Sequence, residues 1–403
     1  MENTVLVIST LDTKGAETYY LRDKIASLGL TPLLMDISMR GKGPTHADIT
    51  SHEVAAAGGS TIEEIHASTE RSWITNITII GASRIARERL AEGSLAGVMG
   101  IGGSTGSLMA TEVMRALPFG IPKLMISSTA ALPGLSTRYI GTGDIALFHS
   151  VIEISGLSDL LRNVMDRAAH AIAGMVQGIV TSPKARKEKA IAITMLGPCE
   201  QCASSVRTSL EAAGYQVIGF SAAGIGDKAM EAMIPQGFFQ GVIDLAPGGV
   251  GEHLFGFMRD AGPDRMESAG RAGLPQVIST CSVNHMTPAK SKYKPEYHER
   301  RKYDLDKYRT WVRLSPGELR EVAAAFREKL GCAKGPVKIL IPLRGWSSVD
   351  CPGNVTYDPE EDRVFVQELR RGLNPDIKIV EVDANMEDPE FAAAVAEASL
   401  SIL

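Results

Sequence analysis

Short apolar runs of strand length alternate along this chain with longer segments of helical period, and no other feature limits its fold so tightly. In the first half the runs fall at 4–10, 32–38, 97–102 and 123–128, with 137–141 as a weaker fifth. Between the first two lies KGAETYYLRDKIASLG. Its Tyr20, Leu21, Ile25 and Leu28 share one helical face, and Gly29 can close the helix. Strand, helix, strand at this spacing means a crossover connection and a parallel sheet. Residues 73–91 carry many β-branched side chains, yet Ile74, Ile77, Ile80 and Ile85 recur near helical spacing, which predicts a helix. A further helix is predicted over 156–180 from one long apolar stripe.

The polar, basic, proline-bearing stretch TSPKARKEKA (181–190) interrupts the pattern and marks a domain boundary. The alternation then restarts, with runs at 189–196, 215–221, 241–247, 276–282, 337–343 and 378–384. A chain of 403 residues is too long for one core. The expected fold is α/β, with two Rossmann-like, doubly wound parallel-sheet domains over 1–184 and 185–403. The halves also echo each other: GVMGIGGSTGSL answers GVIDLAPGGVGEHL, and GIPKLMIS answers GLPQVIST. The echo suggests an internal duplication.

Composition removes several classes. A formal charge of −5 carries no electrostatic footprint for nucleic acid. No apolar run reaches the roughly 18 residues of a membrane span. The start, MENTVLVIST, has no basic segment ahead of a long apolar stretch, and five cysteines make no disulfide framework. The expected compartment is the cytoplasm. Segment 286–313 is basic and rich in tyrosine, and reads as a mobile flap or a dimer arm rather than a nucleic-acid surface.

In an open parallel sheet, ligands bind beyond the carboxyl ends of the strands. The loops expected there are rich in glycine and hydroxyl groups: Thr10 to Gly15, Asp36 to Gly43, Gly100 to Ser107, Ser127 to Ala130, and Gly141 to Asp144. Glycines let a backbone approach an anion, and helix-start N–H groups point at it. Lys14 adds a full charge, Asp12 is a candidate magnesium ligand, and Asp36 stands where dinucleotide folds place a ribose-binding acid. No loop has the P-loop spacing. In the second half Gly248, Gly249, Gly251 and Glu252, then Asn284, His285 and Arg344, mark a second site. There Arg344 would hold a carboxylate or phosphate, and Glu252 or His285 would act as acid or base.

These motifs, taken in order, resemble a known family. ISTLDTKGAE, MDISMRGK, GVMGIGGSTG, KLMISSTA and GTGDI in the first half are similar to the ATP-binding family related to the tomato mosaic virus resistance protein, which has uncharacterised bacterial members. In the second half GPCEQCASSVRTSLEAAGY, DLAPGGVGEHLFG, STCSVNH and IPLRGWSSVDCPG continue the resemblance across the whole chain. It implies ATP in the first domain and a homodimer or higher homo-oligomer. By position it makes Thr10, Asp12, Thr13, Lys14, Gly41, Gly102, Gly103, Ser104, Thr105, Gly106, Ser128, Thr129, Gly141 and Gly143 candidate nucleotide-loop residues, with Asp144 on metal or ribose. Cys202 departs from the family pattern. With Cys199 it creates a C-x-x-C at a predicted helix start, where a thiol pKa would fall. Three functions follow as expectations: an ATP- and Mg2+-using ligase or phosphoryl-transfer enzyme acting on a small carboxylate, a non-catalytic ATP-binding module with a protein partner, or a nicotinamide site. In the first, Asp12, Lys14 and Arg344 carry the chemistry.

Overall fold

The computed structural model describes residues 3–40, 46–178 and 190–403. The chain divides into two compact units, Met1–Pro183 and Lys184–Leu403. Each is an α/β layer structure around a parallel sheet.

In the first unit β1 (Thr4–Ser9), β2 (Thr31–Asp36), β3 (Gly97–Gly102), β4 (Lys123–Ser127) and β5 (Ala146–His149) line up in the order β2-β1-β3-β4-β5. Strand alternation explains why both faces are covered. Val5, Val7, Met99, Ile101, Leu124 and Ile126 point to one side, where they meet Leu21, Ile25, Met165 and Ile172. Leu6, Ile8, Val98 and Met125 point to the other, against Ala82, Ala86, Met109 and Val113. The predicted helix at 73–91 is present as Arg71–Ala91, and the one at 156–180 as Asp159–Gln177.

The weak strand expected at 137–141 is instead part of a helix, Leu135–Ile140, and the fifth strand follows it. Tyr139 is fully buried on that helix, with its hydroxyl 2.8 Å from Thr129 Oγ1. The true β5 has four residues, one exposed and three half-buried, so an edge strand left no continuous apolar run to read.

The second unit has β6 (Ala190–Met195), β7 (Gln216–Ser221), β8 (Gly241–Asp244) and β9 (Gln276–Ile278). A separate antiparallel sheet follows, made of β10 (His285–Met286), β11 (Lys302–Asp304) and β12 (Thr310–Arg313), before β13 (Val337–Pro342) and β14 (Lys378–Val382). The main sheet runs β14-β13-β9-β8-β6-β7. Its first five strands therefore repeat the winding of the first unit, with one strand added. Both double-glycine turns follow the third strand of their unit, and both Gly-(Ile/Leu)-Pro entries precede the fourth.

Segment 286–313, expected as a flap or arm, is tied down. It contributes β11 and β12, and Met286, Tyr297 and Val312 are buried in the unit's own core. Among the described residues, no helix is long and apolar enough to cross a membrane.

Candidate functional site

The first unit's strand order reverses between β1 and β3. The helix leaving β1 (Leu11–Ser27) packs on one face of the sheet, and the helix leaving β3 (Ser104–Arg115) packs on the other. A crevice therefore opens between their starts, the usual binding position in such a sheet. Thr10, Asp12, Thr13 and Lys14 stand on one side of it, and Gly102, Gly103, Ser104, Thr105 and Gly106 on the other. Ser128 and Thr129 follow β4 on the same rim.

Gly103 is the N-cap of the helix Ser104–Arg115, and no side chain caps that end. The first N–H with an intrahelical acceptor is that of Ser107, which donates to Gly103 O at 2.8 Å. The preceding amides are those that a helix start leaves for other partners. Below them lies a fixed hydroxyl relay. Buried Ser107 donates to Ser127 Oγ at 2.7 Å, Thr129 N donates to the same oxygen at 3.2 Å, and Tyr139 Oη donates to Ser104 O at 3.3 Å. The loop is thus held from beneath.

The glycines of this loop have different causes. A Cβ on Gly102 would stand 3.2 Å from Gly106 Cα, so strand and helix pack too closely for a side chain there. Among the described residues, a Cβ on Gly103 would have ordinary contact only, 3.8 Å from Ser128 Oγ, and one on Gly106 would meet nothing within 4 Å. Neither residue has positive φ. Packing and backbone conformation therefore do not require glycine at 103 or 106, although glycine in a helix costs about 1 kcal/mol against alanine.

Lys14 interrupts its helix with φ −127° and ψ 20°. Its ammonium donates to Ile154 O and lies 3.7 Å from Glu153 Oε1. Glu153 also accepts from Ser128 Oγ at 3.5 Å. Sequence reasoning missed this β5 loop because it missed β5. In the same loop Val151 is 78% exposed with φ +66°, an uncommon conformation for a β-branched residue. Arg71 was also missed. It opens the helix Arg71–Ala91 and donates to Thr105 Oγ1 at 2.9 Å, which sequence separation alone does not reveal.

Several expected site residues have other roles. Asp36 is 1% exposed, and its Oδ1 accepts from Leu11 N at 3.1 Å and from both N and Oγ of Ser38. It anchors the start of the first helix, which corrects the ribose-binding expectation. Gly141, Gly143 and Asp144 precede β5 instead of following a strand, so they lie at the opposite end of the sheet from the rim. Asp144 there pairs with buried Lys123 at 2.5 Å and accepts from Gly120 N. Gly141 and Gly143 make room for Arg115, whose Cδ and Cγ would be 2.9 and 3.1 Å from added Cβ atoms. Gly41 lies outside the described residues. Asp12 is exposed, and among the described residues no group of three or more His, Cys, Asp or Glu is placed to hold a metal ion.

In the second unit the corresponding crevice is filled. A Cβ on Gly248 would meet Ser282 O at 2.3 Å and one on Gly249 would meet Ala261 Cβ at 2.5 Å, so packing demands both glycines. Ser348 N closes over the β6 loop by donating to Pro198 O at 3.0 Å. Glu252 is fully buried and bound through Oε1 to Arg259 Nη2 (2.7 Å) and Nε (3.0 Å), so it is not a free acid or base. His285 is 3% exposed, and among the described residues its Nε2 has no hydrogen-bond partner. Burial, with Arg313 and Arg259 nearby, holds its imidazole well below the ordinary range, and it stays neutral. Arg344 does remain on the rim, but its fork is occupied by Asp383 at 2.8 and 2.7 Å. Cys199 and Cys202 are fully buried, and burial pushes the Cys202 thiol up, opposite to the expected helix-start effect.

Two more buried ionic clusters hold this unit. Arg265 binds Asp244 bidentately (2.5 and 2.7 Å) and Asp227 at 2.8 Å. Arg313 of β12 reaches Asp362 at 2.5 Å, Glu361 at 2.7 Å and Asp350 at 3.4 Å, while Asn284 Nδ2 donates to both Asp350 and Asp362. Burial and the Asp350 carboxylate push the Asp362 carboxyl up to about 8.

Residues 3–181 match the N-terminal domain of the uncharacterised protein family UPF0261, and residues 188–403 match its C-terminal domain. The chain belongs to this family. A UPF0261 protein of Clostridium tetani is 33% identical over 100% of both chains. One of Brucella suis is 32% identical over 96% of this chain and 93% of its own. The ToMV resistance protein Tm-1(GCR237) of Solanum lycopersicum is 33% identical over 77% of this chain, which corresponds to 42% of the tomato protein. The family membership and the tomato relative agree with the resemblance drawn from the motifs.

Proposed function

We propose that the first unit binds ATP with Mg2+ in the crevice between the loops after β1 and β3. The observation that carries this reading is the unneeded glycine pair, Gly103 and Gly106, at an uncapped helix start. Amides there suit the phosphates, Ser104 and Thr105 add hydroxyl donors, and Arg71 stands beside them. Asp12, exposed in the first turn of the helix after β1, would serve as a ligand of a phosphate-bound Mg2+, an ion that commonly takes one or two carboxylates and completes its shell with phosphates and water. Lys14 would neutralise phosphate charge after leaving Glu153. In this reading the chemistry is phosphoryl transfer or ligation on a small carboxylate, in the cytoplasm and in a homodimer.

One observation favours a non-catalytic nucleotide module instead. Lys14 is already held by Ile154 O and Glu153, so its ammonium is engaged away from any reacting phosphate. Calorimetry with MgATP on wild type, Gly106→Ala and Lys14→Ala tests the binding. We expect saturable binding by wild type and at least tenfold weaker binding by Gly106→Ala, about 1.4 kcal/mol, in a variant that still folds. No heat with wild type, or unchanged binding by Gly106→Ala, overturns the reading. Turnover in the presence of small carboxylic acids then separates the enzyme from the module, and sedimentation gives the assembly state.

A further inference from the structure

The second unit has a polar cleft of ≈ 530 Å³. It is lined by the helix Ile225–Met233, the helix Gly249–Phe255 and the loop that follows the latter. Lys228 projects from the first helix and His253 from the second. Gly256, with φ +68°, ends the second helix and sends the chain back on itself. Asp260 is thereby brought to 2.8 Å from His253 Nδ1. The same Oδ1 accepts from Gly262 N at 2.7 Å and lies 3.9 Å from Lys228 Nζ. Lysine, imidazole and carboxylate thus converge on one oxygen.

A tally of hydrogen-bonding capacity gives the sign of a ligand. Of the acids around the cleft, Glu231 and Asp260 are satisfied from within, while Asp264, 70% exposed, has only a 3.9 Å pair with Arg271. Glu231 accepts from Met266 N at 2.7 Å and Ser268 N at 3.0 Å, and Asp260 accepts the two short bonds just described. The cations are not. Lys228 has its one ion pair at a loose 3.9 Å and is 38% exposed, and Arg271, 58% exposed, turns one nitrogen to Glu267 and holds Asp264 only at 3.9 Å. An ionised carboxylate only accepts hydrogen bonds, so Nδ1 of His253 carries a proton, and in the neutral ring Nε2 is then the acceptor. Among the described residues Nε2 has no hydrogen-bond partner. The cleft thus offers two cationic donors and one oriented acceptor.

We propose that this cleft binds a small hydroxy acid, its carboxylate on Lys228 and Arg271 and its hydroxyl donating to His253 Nε2. Asp260 is a positioning residue, since it acts only by fixing the imidazole. The site does not depend on the nucleotide reading of the first unit. Gly262 (φ +80°) contributes to its shape, because a Cβ there would press on Lys228 Cε at 3.3 Å.

The test uses the full chain and three matched pairs: malate and succinate, lactate and propionate, 3-hydroxybutyrate and butyrate. Binding is read by calorimetry and by NMR of the histidine rings, without nucleotide. We expect at least one hydroxy acid to bind tenfold or more tightly than its deoxy partner and to shift the His253 resonances. Lys228→Ala should weaken that acid at least tenfold. His253→Gln should remove the preference for the hydroxyl while leaving the melting temperature unchanged. Asp260→Asn should change the His253 tautomer in 15N spectra and reduce the preference. The proposal is overturned if no hydroxy acid binds, if deoxy partners bind equally well, or if Lys228→Ala and His253→Gln both bind as wild type does.

Discussion

Gly106 and Gly248 look alike in the sequence, since each belongs to a glycine-rich turn after a strand. The atoms around them differ. Among the described residues nothing lies within 4 Å of a Cβ on Gly106, whereas a Cβ on Gly248 would collide with the Ser282 backbone at 2.3 Å. Gly106→Ala should therefore leave stability unchanged or raise it by up to about 1 kcal/mol. Gly248→Ala should cost about 1–3 kcal/mol or more, because backbone must move to admit the methyl. Urea unfolding of the two variants checks both. The pattern of residues shows where a chain turns tightly, but the reason for each glycine depends on neighbours distant in sequence. The same limit applied to Asp36. Its position at the end of β2 was legible, but its hold on the first amide of the first helix was not.

At the scale of elements, the alternation of apolar runs and helical segments was enough to locate the core strands of both sheets, and the long amphipathic helices with them. It failed where burial was partial. Edge strand β5 has no fully buried position, and its misplacement carried Gly141, Gly143 and Asp144 to the wrong end of the sheet. The buried ionic clusters were also hidden, since their members are spread over many elements. Arg265→Leu should destabilise by about 3–5 kcal/mol, because Asp227 and Asp244 would stay buried without their cation. Denaturant midpoints at unchanged slope would confirm it. Asp362 gives a pH effect of defined sign. Its folded pKa, about 8, lies above that of an unfolded aspartate, so the folded state holds the extra proton between the two values. Stability from this group is therefore present at low pH and is lost as pH rises toward 8. The contribution has a limiting slope of about 1.4 kcal/mol per pH unit. Unfolding of Asp362→Asn across pH 5 to 8 should show a flatter profile than wild type.

For the whole molecule, the two units share a winding but not an open crevice. The helix start after β3 has no side-chain cap and leaves backbone amides available, whereas Ser282 and Ser348 cover the matching place in the second unit. Hydrogen exchange with and without MgATP should therefore show protection at 104–106 and none at 197–199 or 247–249. Equal protection in both units would contradict the division of labour. The repeated winding was visible in outline as an echo between halves, because strand-to-turn junctions carry strong local signals. What closes one crevice was not visible, because contacts between remote loops leave no periodicity. Arg313 also limits how the second lobe can change over time. It is joined to Glu361 and Asp362 and neighbours Asp350, so replacing the arginine first would strand negative charge in the interior. Neutralising the aspartates first would strand the cation instead. Single steps in either direction pass through a molecule less able to fold, and viable drift at these positions must change both signs of charge together.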